Sequence, residues 1–333
     1  MCLKKISFIV LFLVNTAIYA QDQPIGIVAF YNVENLFDTE DDPNINDEEY
    51  MPEGGKEWDT EKYQNKLVNM SKVLATMTYG ADIIGLAEVE NRRVLEDLVA
   101  MPTMAGKKYQ IVHFDSPDYR GIDVALLYRS DKFQPFSTIK IPFSHDTNEG
   151  FRTRDMLWVK GLYGGDTLNV VVSHWPSRRG GKQAERIMAA TILRKHIDSV
   201  QNLNPAAKII LMGDFNDDPT DKSIKKILRA DNKENKLGKG DIYNASMKTF
   251  KQGYGTLMYK GMWNLFDQIM ISQSLLKANN KASNFFYAPD SFRVYAPEWM
   301  READTGGPLR TFSYGVYKNG FSDHYPSFIV LAK

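Results

Sequence analysis

Eight short apolar runs, each giving way to polar residues, restrict what this chain can fold into more than any other feature. They cover residues 25–31, 82–87, 124–128, 156–161, 168–173, 208–212, 265–271 and 326–331. Each has the length of a strand and is rich in β-branched or aromatic residues. Helical patterns lie between some of them. Tyr63, Leu67, Met70, Leu74 and Met77 recur at spacings of four and three, with Asp59 or Thr60 as the N-cap. Ala184, Ile187, Met188, Thr191 and Ile192 form a second stripe. Both stripes predict faces packed on a sheet rather than partner-binding surfaces. Strands outnumber helices and follow one another between residues 109 and 174. This predicts an α/β fold in which two sheets pack together under outer helices. No Pro/Gly/Ser-rich linker divides the chain, so a single domain over residues 21–333 is expected.

The first twenty residues follow a different pattern. Lys4 and Lys5 precede an apolar run over residues 6–14, and Ala20 closes the segment. That is the layout of a secretory signal peptide, and the run is too short to span a membrane. Cleavage near Ala20 would release a secreted or periplasmic chain beginning near Gln21, with no stable membrane span. The only cysteine is Cys2, inside this leader, which excludes a cysteine nucleophile and a thiolate zinc site. Formal net charge is zero over the full chain and slightly negative without Lys4 and Lys5. A duplex binder draws much of its affinity from basic residues, so any basic face here must be local. Acids crowd residues 38–49: Asp38, Glu40, Asp41, Asp42, Asp47, Glu48 and Glu49. Their spacing fits no EF-hand loop; a solvated loop is expected, with a calcium site as the other option.

Acids, amides and histidines gather at the C-terminal ends of the apolar runs, where a sheet can assemble a site from distant parts of a chain. The first run ends in Tyr31-Asn32-Val33-Glu34-Asn35-Leu36-Phe37-Asp38, and the second in Leu86-Ala87-Glu88-Val89-Glu90-Asn91. Others give Val172-Ser173-His174-Trp175-Pro176 and Met212-Gly213-Asp214-Phe215-Asn216-Asp217. A fifth contains Asp267-Gln268-Ile269-Met270, and the last begins Gly320-Phe321-Ser322-Asp323-His324-Tyr325-Pro326. Singly, a Gly-Asp pair is a turn and a lone histidine is a surface residue. Six such clusters in one chain point to a site. His113, His145 and His196 carry no such motif and are expected to have no role.

These segments resemble the endonuclease/exonuclease/phosphatase superfamily, which includes pancreatic deoxyribonuclease, abasic-site endonucleases, bacterial sphingomyelinases and inositol-polyphosphate phosphatases. The resemblance runs in order from about residue 25 to residue 332. Its most specific parts are Gly213-Asp214-Phe215-Asn216 and Ser322-Asp323-His324. The wording Tyr31-Asn32-Val33-Glu34-Asn35-Leu36-Phe37-Asp38, with Ser173-His174-Trp175-Pro176-Ser177-Arg178, resembles a branch of bacterial extracellular nucleases. It implies a four-layer α/β sandwich of two packed mixed sheets flanked by helices.

The resemblance also implies metal-dependent, in-line attack of water on a phosphorus ester. Glu88 would bind Mg²⁺, with Mn²⁺ or Ca²⁺ as other options, supported by Asn32, Glu34 and Asp323. Asp214 would orient and deprotonate the water, and Asn216 would bind a phosphoryl oxygen. His324 would donate to the phosphate, held by Asp267, and His174 would act on the opposite side. Arg154, with Arg152 as its alternative, and Tyr128 are expected to face the phosphate. Arg178, Arg179 and Lys182, beside Gly180 and Gly181, are expected to grip backbone phosphates. A nucleic-acid substrate, no obligate protein partner and a monomer follow as expectations. The competing readings are a phosphatase or sphingomyelinase-type phosphodiesterase, whose membrane loop would carry Trp299 and Met300, and a non-catalytic nucleic-acid-binding module.

Overall fold

A computed structural model of the chain describes residues 22–77, 80–143, 151–279 and 284–333. The leader at residues 1–20 and His145 lie outside the described residues. Each of the eight apolar runs forms a strand over most of its length, with only Asp82, Leu265, Phe266 and Pro326 left outside. The principal strands are β1 (Pro24–Leu36), β2 (Ile83–Val89), β3 (Tyr109–His113), β4 (Asp123–Arg129), β5 (Phe133–Ile141), β6 (Met156–Tyr163), β7 (Asp166–His174), β8 (Lys208–Asp214), β9 (Asp267–Ser272) and β10 (Ser327–Ala332). The long helices are α1 (Thr60–Thr76), α2 (Arg92–Ala100) and α3 (Gln183–Leu203).

Two large mixed sheets result. One runs β10-β1-β2-β4-β3, with short edge strands beside β10. The other runs β5-β6-β7-β8-β9 and continues through Ile242–Asn244 and Ala230–Asp231. The two-residue period of each strand decides which layer each side chain joins. Val28 and Phe30 of β1, Val170 and Val172 of β7, and Ile210 and Met212 of β8 meet in the core between the sheets. Their neighbours Ala29 and Tyr31 turn outward and are covered by α1 and α2. Val171, Ile209 and Leu211 turn the other way, under α3. Fully burying one such aliphatic side chain contributes about 1.5–3 kcal/mol, so both faces of each sheet must be covered.

Helix α1 starts where the sequence places it: the Asp59 side chain accepts from Lys62 N, and Tyr63, Leu67, Met70 and Leu74 are buried. In α3 the buried face is shifted from the expected stripe. Ala189, Ala190, Leu193 and Ile197 are buried, whereas Ile187, Met188, Thr191 and Ile192 are half-buried and Ala184 is exposed. Alanine fits the close contact with the sheet, and the larger side chains flank it. Trp299 and Met300 also pack inward, with Met300 only 1% exposed, so they form no membrane loop. Among the described residues, no helix is long and apolar enough to cross a membrane.

Strand direction positions the site. β1 and β2 are parallel, as are β7 and β8, so all four present their C-terminal ends at one edge of the sandwich. β9 and β10 run antiparallel to β8 and β1, so they bring their N-terminal ends to that edge.

Candidate active site

The backbone leaves regular strand geometry where the polar residues begin. The β1–β2 register shifts between Asn32 and Leu36, and the β2–β4 register shifts between Ala87 and Val89. Within these bulges Glu34, Asn35 and Glu88 take φ values of 51°, 57° and 63°, and Asn216 after β8 takes 50°. Left-handed backbone at glutamate is costly and persists where the surroundings over-determine it. Each bulge re-aims a side chain that the regular pleat would have directed elsewhere.

Asp214 Oδ2 is the hub. The buried Asn32 amide donates to it at 3.1 Å and to Glu88 Oε1 at 3.3 Å. His174 Nε2 lies 3.5 Å from the same oxygen and 3.8 Å from Glu88 Oε1. His324 Nε2 lies 3.8 Å from it and 3.8 Å from Asp323 Oδ1. Pairing in register explains the convergence: Asp214 sits opposite His174 on one side and Asp267 on the other. Behind the imidazole, Asp267 Oδ2 is 2.7 Å from His324 Nδ1. Ser322 ties the last segment to β1, donating to Asn32 O at 2.7 Å and accepting from His324 N at 3.0 Å.

The two histidines are driven apart electrically. His174 is held well below its ordinary 6.5, first by burial and then by Arg154, Arg120 and His324, so it is neutral at pH 7. For His324 burial is the largest influence and also acts downward, but Asp267, Asp214 and Asp323 together outweigh it and raise the imidazole well above 6.5. Burial raises Asp214 to about 7, helped by Asp267 and Glu88 and opposed by His324 and the Asn216 N–H. The site therefore holds one neutral and one protonated imidazole beside a carboxylate that titrates near neutrality.

The donor set fits a divalent cation. Glu88 is 15% exposed in its side chain and accepts from Asn35 N at 3.1 Å. No arginine or lysine pairs with it among the described residues, so its charge faces the cleft uncompensated. Oxygen donors of this kind suit Mg²⁺, Mn²⁺ or Ca²⁺. Asp214, Asp267 and His324 also lie close enough together to hold a metal. There, however, Asp267 is fully buried and already bound to His324, which makes Glu88 the better ligand. Glu34 and Asp323 stand one step back, bridged by an arginine that sequence reasoning missed. Arg310 donates to Glu34 Oε1 at 3.1 Å and to Asp323 Oδ2 at 3.0 Å. Lys66 of α1 completes this layer from inside, donating to Thr311 Oγ1 and Phe321 O, each at 2.7 Å. Burial raises Glu34 to about 7 and lowers Lys66 to about 8.

These residues floor a cleft of about 760 Å³. Its walls carry Arg120, Arg152, Arg154, Arg179, Lys182 and Arg310. Arg154 donates to Trp175 O at 2.8 Å and to Asp118 at 3.0 Å, which leaves its Nε as an unpartnered buried donor. The Asn216 amide donates one N–H to Trp175 O at 3.0 Å, which fixes the side chain in the cleft wall and leaves its second N–H uncommitted by that bond. Asp118, Tyr119 and Arg120 were missed because they sit in an unpatterned loop. They reach the cleft because β4 is antiparallel to β2, which brings the start of β4 to the site.

Strand direction corrects Tyr128. It is the penultimate residue of β4, pairs with Ile83, and lies about 17 Å along the strand from Glu88. There it packs edge-on against Phe133 instead of facing a phosphate. Arg178 is also corrected: Asp218 and Asp221 pair with its guanidinium, its Nε donates to Asn216 O, and the side chain stacks over Phe266. It braces the loop, whereas Arg179 lines the cleft. The acidic segment is not wholly solvated either. Asp38 and Asp47 are buried, with Asp38 accepting from the Asn91 side chain and Asp47 from Asp42 N. His113, given no role from the sequence, pairs with Asp123 at 3.0 Å, and His196 is half-buried on α3.

A sequence model of the endonuclease/exonuclease/phosphatase family matches residues 27–333. No curated protein sequence matches the chain. Among solved structures, D. rerio TDP2 complexed with a single-strand DNA product aligns with a TM-score of 0.57 at 16% identity, covering 92% of this chain and 98% of that one. A Bacteroides thetaiotaomicron mannosyl-6-phosphatase aligns with a TM-score of 0.56 at 18% identity, covering 92% and 99%. The human Nocturnin catalytic domain with a bound sulfate anion aligns with a TM-score of 0.53 at 16% identity, covering 93% and 95%.

Proposed function

This chain belongs to the endonuclease/exonuclease/phosphatase family, and from that premise we propose that it is a secreted, divalent-metal-dependent phosphodiesterase that cleaves nucleic-acid strands. One observation carries the chemistry: the convergence of Asn32, His174 and His324 on a single Asp214 oxygen, with Glu88 joined to it through the Asn32 amide. Glu88 and Asn32 would hold the cation, with Asp323 beside them. Bound there, it would supply charge neutralisation at the phosphoryl oxygens.

The chain's own groups then divide the work. Asp214, ionised at and above about pH 7, accepts the proton of the attacking water. Protonated His324 donates to a phosphoryl oxygen through Nε2 while Asp267 fixes its Nδ1–H. Neutral His174 sits across the phosphate, within reach of the leaving side. Arg154, held in the wall by Asp118 and Trp175 O, adds its positive charge beside the phosphate. The uncatalysed reaction is so slow that these terms must together lower the barrier by roughly 20 kcal/mol.

A polymeric substrate is favoured by the basic wall, which extends beyond what one phosphate needs. Arg120, Arg152, Arg179 and Lys182 line a cleft open enough for an extended strand. The TDP2 structure with single-strand DNA product supports this reading. The likeness to a mannosyl-6-phosphatase supports a second reading, a phosphatase acting on a small phosphoester. A substrate panel separates the two. Purified protein is offered single-stranded and plasmid DNA, RNA, sugar phosphates, inositol phosphates and sphingomyelin, with Mg²⁺, Mn²⁺, Ca²⁺ or chelator. Metal-dependent cleavage of polynucleotides that disappears in His324→Ala is the expected result. Release of phosphate from sugar phosphates alone would refute the nuclease reading.

A further inference from the structure

Beside the main cleft lies a smaller pocket of about 210 Å³, and the two share Asn35 and Arg310 as lining residues. Its remaining wall carries three rings, Tyr50, Phe312 and Tyr314, with Lys56, Glu34, Thr311 and Gly315 between them; Lys56 also pairs with Glu49 at 3.2 Å. Tyr50 forms a rigid side, stacked on Phe37 with centroids 4.3 Å apart and planes 8° apart. Lys56 Nζ lies 4.8 Å over the Phe312 ring.

Tyr314 is the telling residue. It sits in a hairpin whose pairs are Phe312 with Tyr317 and Ser313 with Val316, which leaves Tyr314 and Gly315 as a two-residue loop. Both have positive φ, 49° and 78°. Such a turn favours Asn-Gly, because a bulky first residue strains the left-handed backbone. Tyrosine is a poor choice for the turn, and its ring contributes nothing to packing. It is fully exposed and makes no hydrogen bond, ring contact or cation contact among the described residues. Strain borne by an idle, fully exposed ring at the rim of an aromatic-walled pocket continuous with the cleft calls for a ligand.

We propose that this annex binds the base of a nucleotide next to the scissile phosphate, stacked on Tyr314, with Lys56 and Arg310 flanking the intervening backbone. The inference rests on the nuclease reading above and deepens it. A planar heterocycle suits an exposed ring, and stacking tolerates any base because every base offers a π-face. Continuity with the cleft through Arg310 favours a base on the same strand over an unrelated small molecule.

The test uses Tyr314→Asn, which removes the ring and supplies the residue the turn prefers. Steady-state cleavage by the Mg²⁺-loaded full protein is measured on a short single-stranded oligonucleotide and on the same oligomer built from base-free units, with Tyr314→Trp as control. The expected result is a KM about tenfold higher for the base-bearing strand, no change for the base-free strand, unchanged kcat and a melting temperature at or above wild type. Tyr314→Trp should keep the wild-type KM. Equal KM values for wild type and Tyr314→Asn on the base-bearing strand would overturn the annex while leaving the nuclease reading standing. Failure of the wild type to cleave either oligomer would overturn both.

Discussion

Replacing Asp267 by Asn tests the electrical logic of the site with almost no change in volume. In the wild type, Asp267 Oδ2 lies 2.7 Å from His324 Nδ1, with Asp267 fully buried and His324 5% exposed. Taking the charges as about 4 Å apart in an effective dielectric of about 20, the attraction is roughly 4 kcal/mol. That attraction favours the protonated imidazole and raises the basicity of His324. Burial already pulls this imidazole down, and Asp267 is the foremost of the three carboxylates that offset it. Asp267→Asn should therefore lower the basicity of His324 and shrink its protonated fraction at pH 7.5. The activity profile supplies the assay. The acid limb, set by Asp214, loses both the upward push of Asp267 and the downward pull of a charged His324, two opposed changes, while the alkaline limb, set by His324, moves toward acid. The bell drops, and kcat at pH 7.5 falls about 10²-fold, the scale of one acid–base contribution. Circular dichroism should report a folded protein. A profile that is scaled down with an unmoved alkaline midpoint would refute the assignment, because a merely structural defect lowers amplitude without moving that limb.

Other consequences follow from the same geometry. Glu88→Gln removes the uncompensated carboxylate; calorimetry should show weakened Mg²⁺ binding, and kcat should fall by about 10²-fold or more, about 3 kcal/mol. Unaltered Mg²⁺ affinity would move the metal elsewhere. Arg179→Ala should raise KM for polynucleotide and reduce the slope of log K against log salt by about one. Arg178→Ala should instead lower the melting temperature, because it frees Asp218 and Asp221 inside the loop; a loss of salt dependence without loss of stability would reverse the two assignments. Metal-free protein should become less stable as pH rises from about 4 to 7. Asp214 and Glu34 move from 3.8 and 4.5 to about 7 on folding, so the native state binds more protons across that window. His324 continues the same trend above its ordinary 6.5, whereas neutral His174 opposes it below 6.5. Saturating Mg²⁺ should flatten the dependence; a melting temperature that climbs from pH 4 to 7 without metal would contradict it.

The sequence determined the strands and the identity of the chemical groups. Two-residue alternation is a local property, so runs such as 168–173 and 208–212 declare both their extent and their burial on two faces. The polar residues at their ends name the chemistry because carboxylate, amide and imidazole are rarely crowded together for packing reasons. What the linear order cannot carry is direction. Tyr128 and Asp123 occupy the same strand, and only the antiparallel pairing of β4 with β2 sends one away from the cleft and the other toward it. The same pairing delivers Tyr119 and Arg120 from a loop with no pattern of its own. Arg178 and Arg179 are adjacent and chemically identical, yet the acids at 218 and 221, some forty residues away, claim the first and leave the second to the cleft. Arg310 and Lys66 likewise acquire meaning only when folding brings Glu34 beside them across more than two hundred residues in one case. Local pattern fixes which face a residue shows; three-dimensional pairing alone decides which charges meet, because electrostatic neutralisation depends on distance in space and not on distance along the chain.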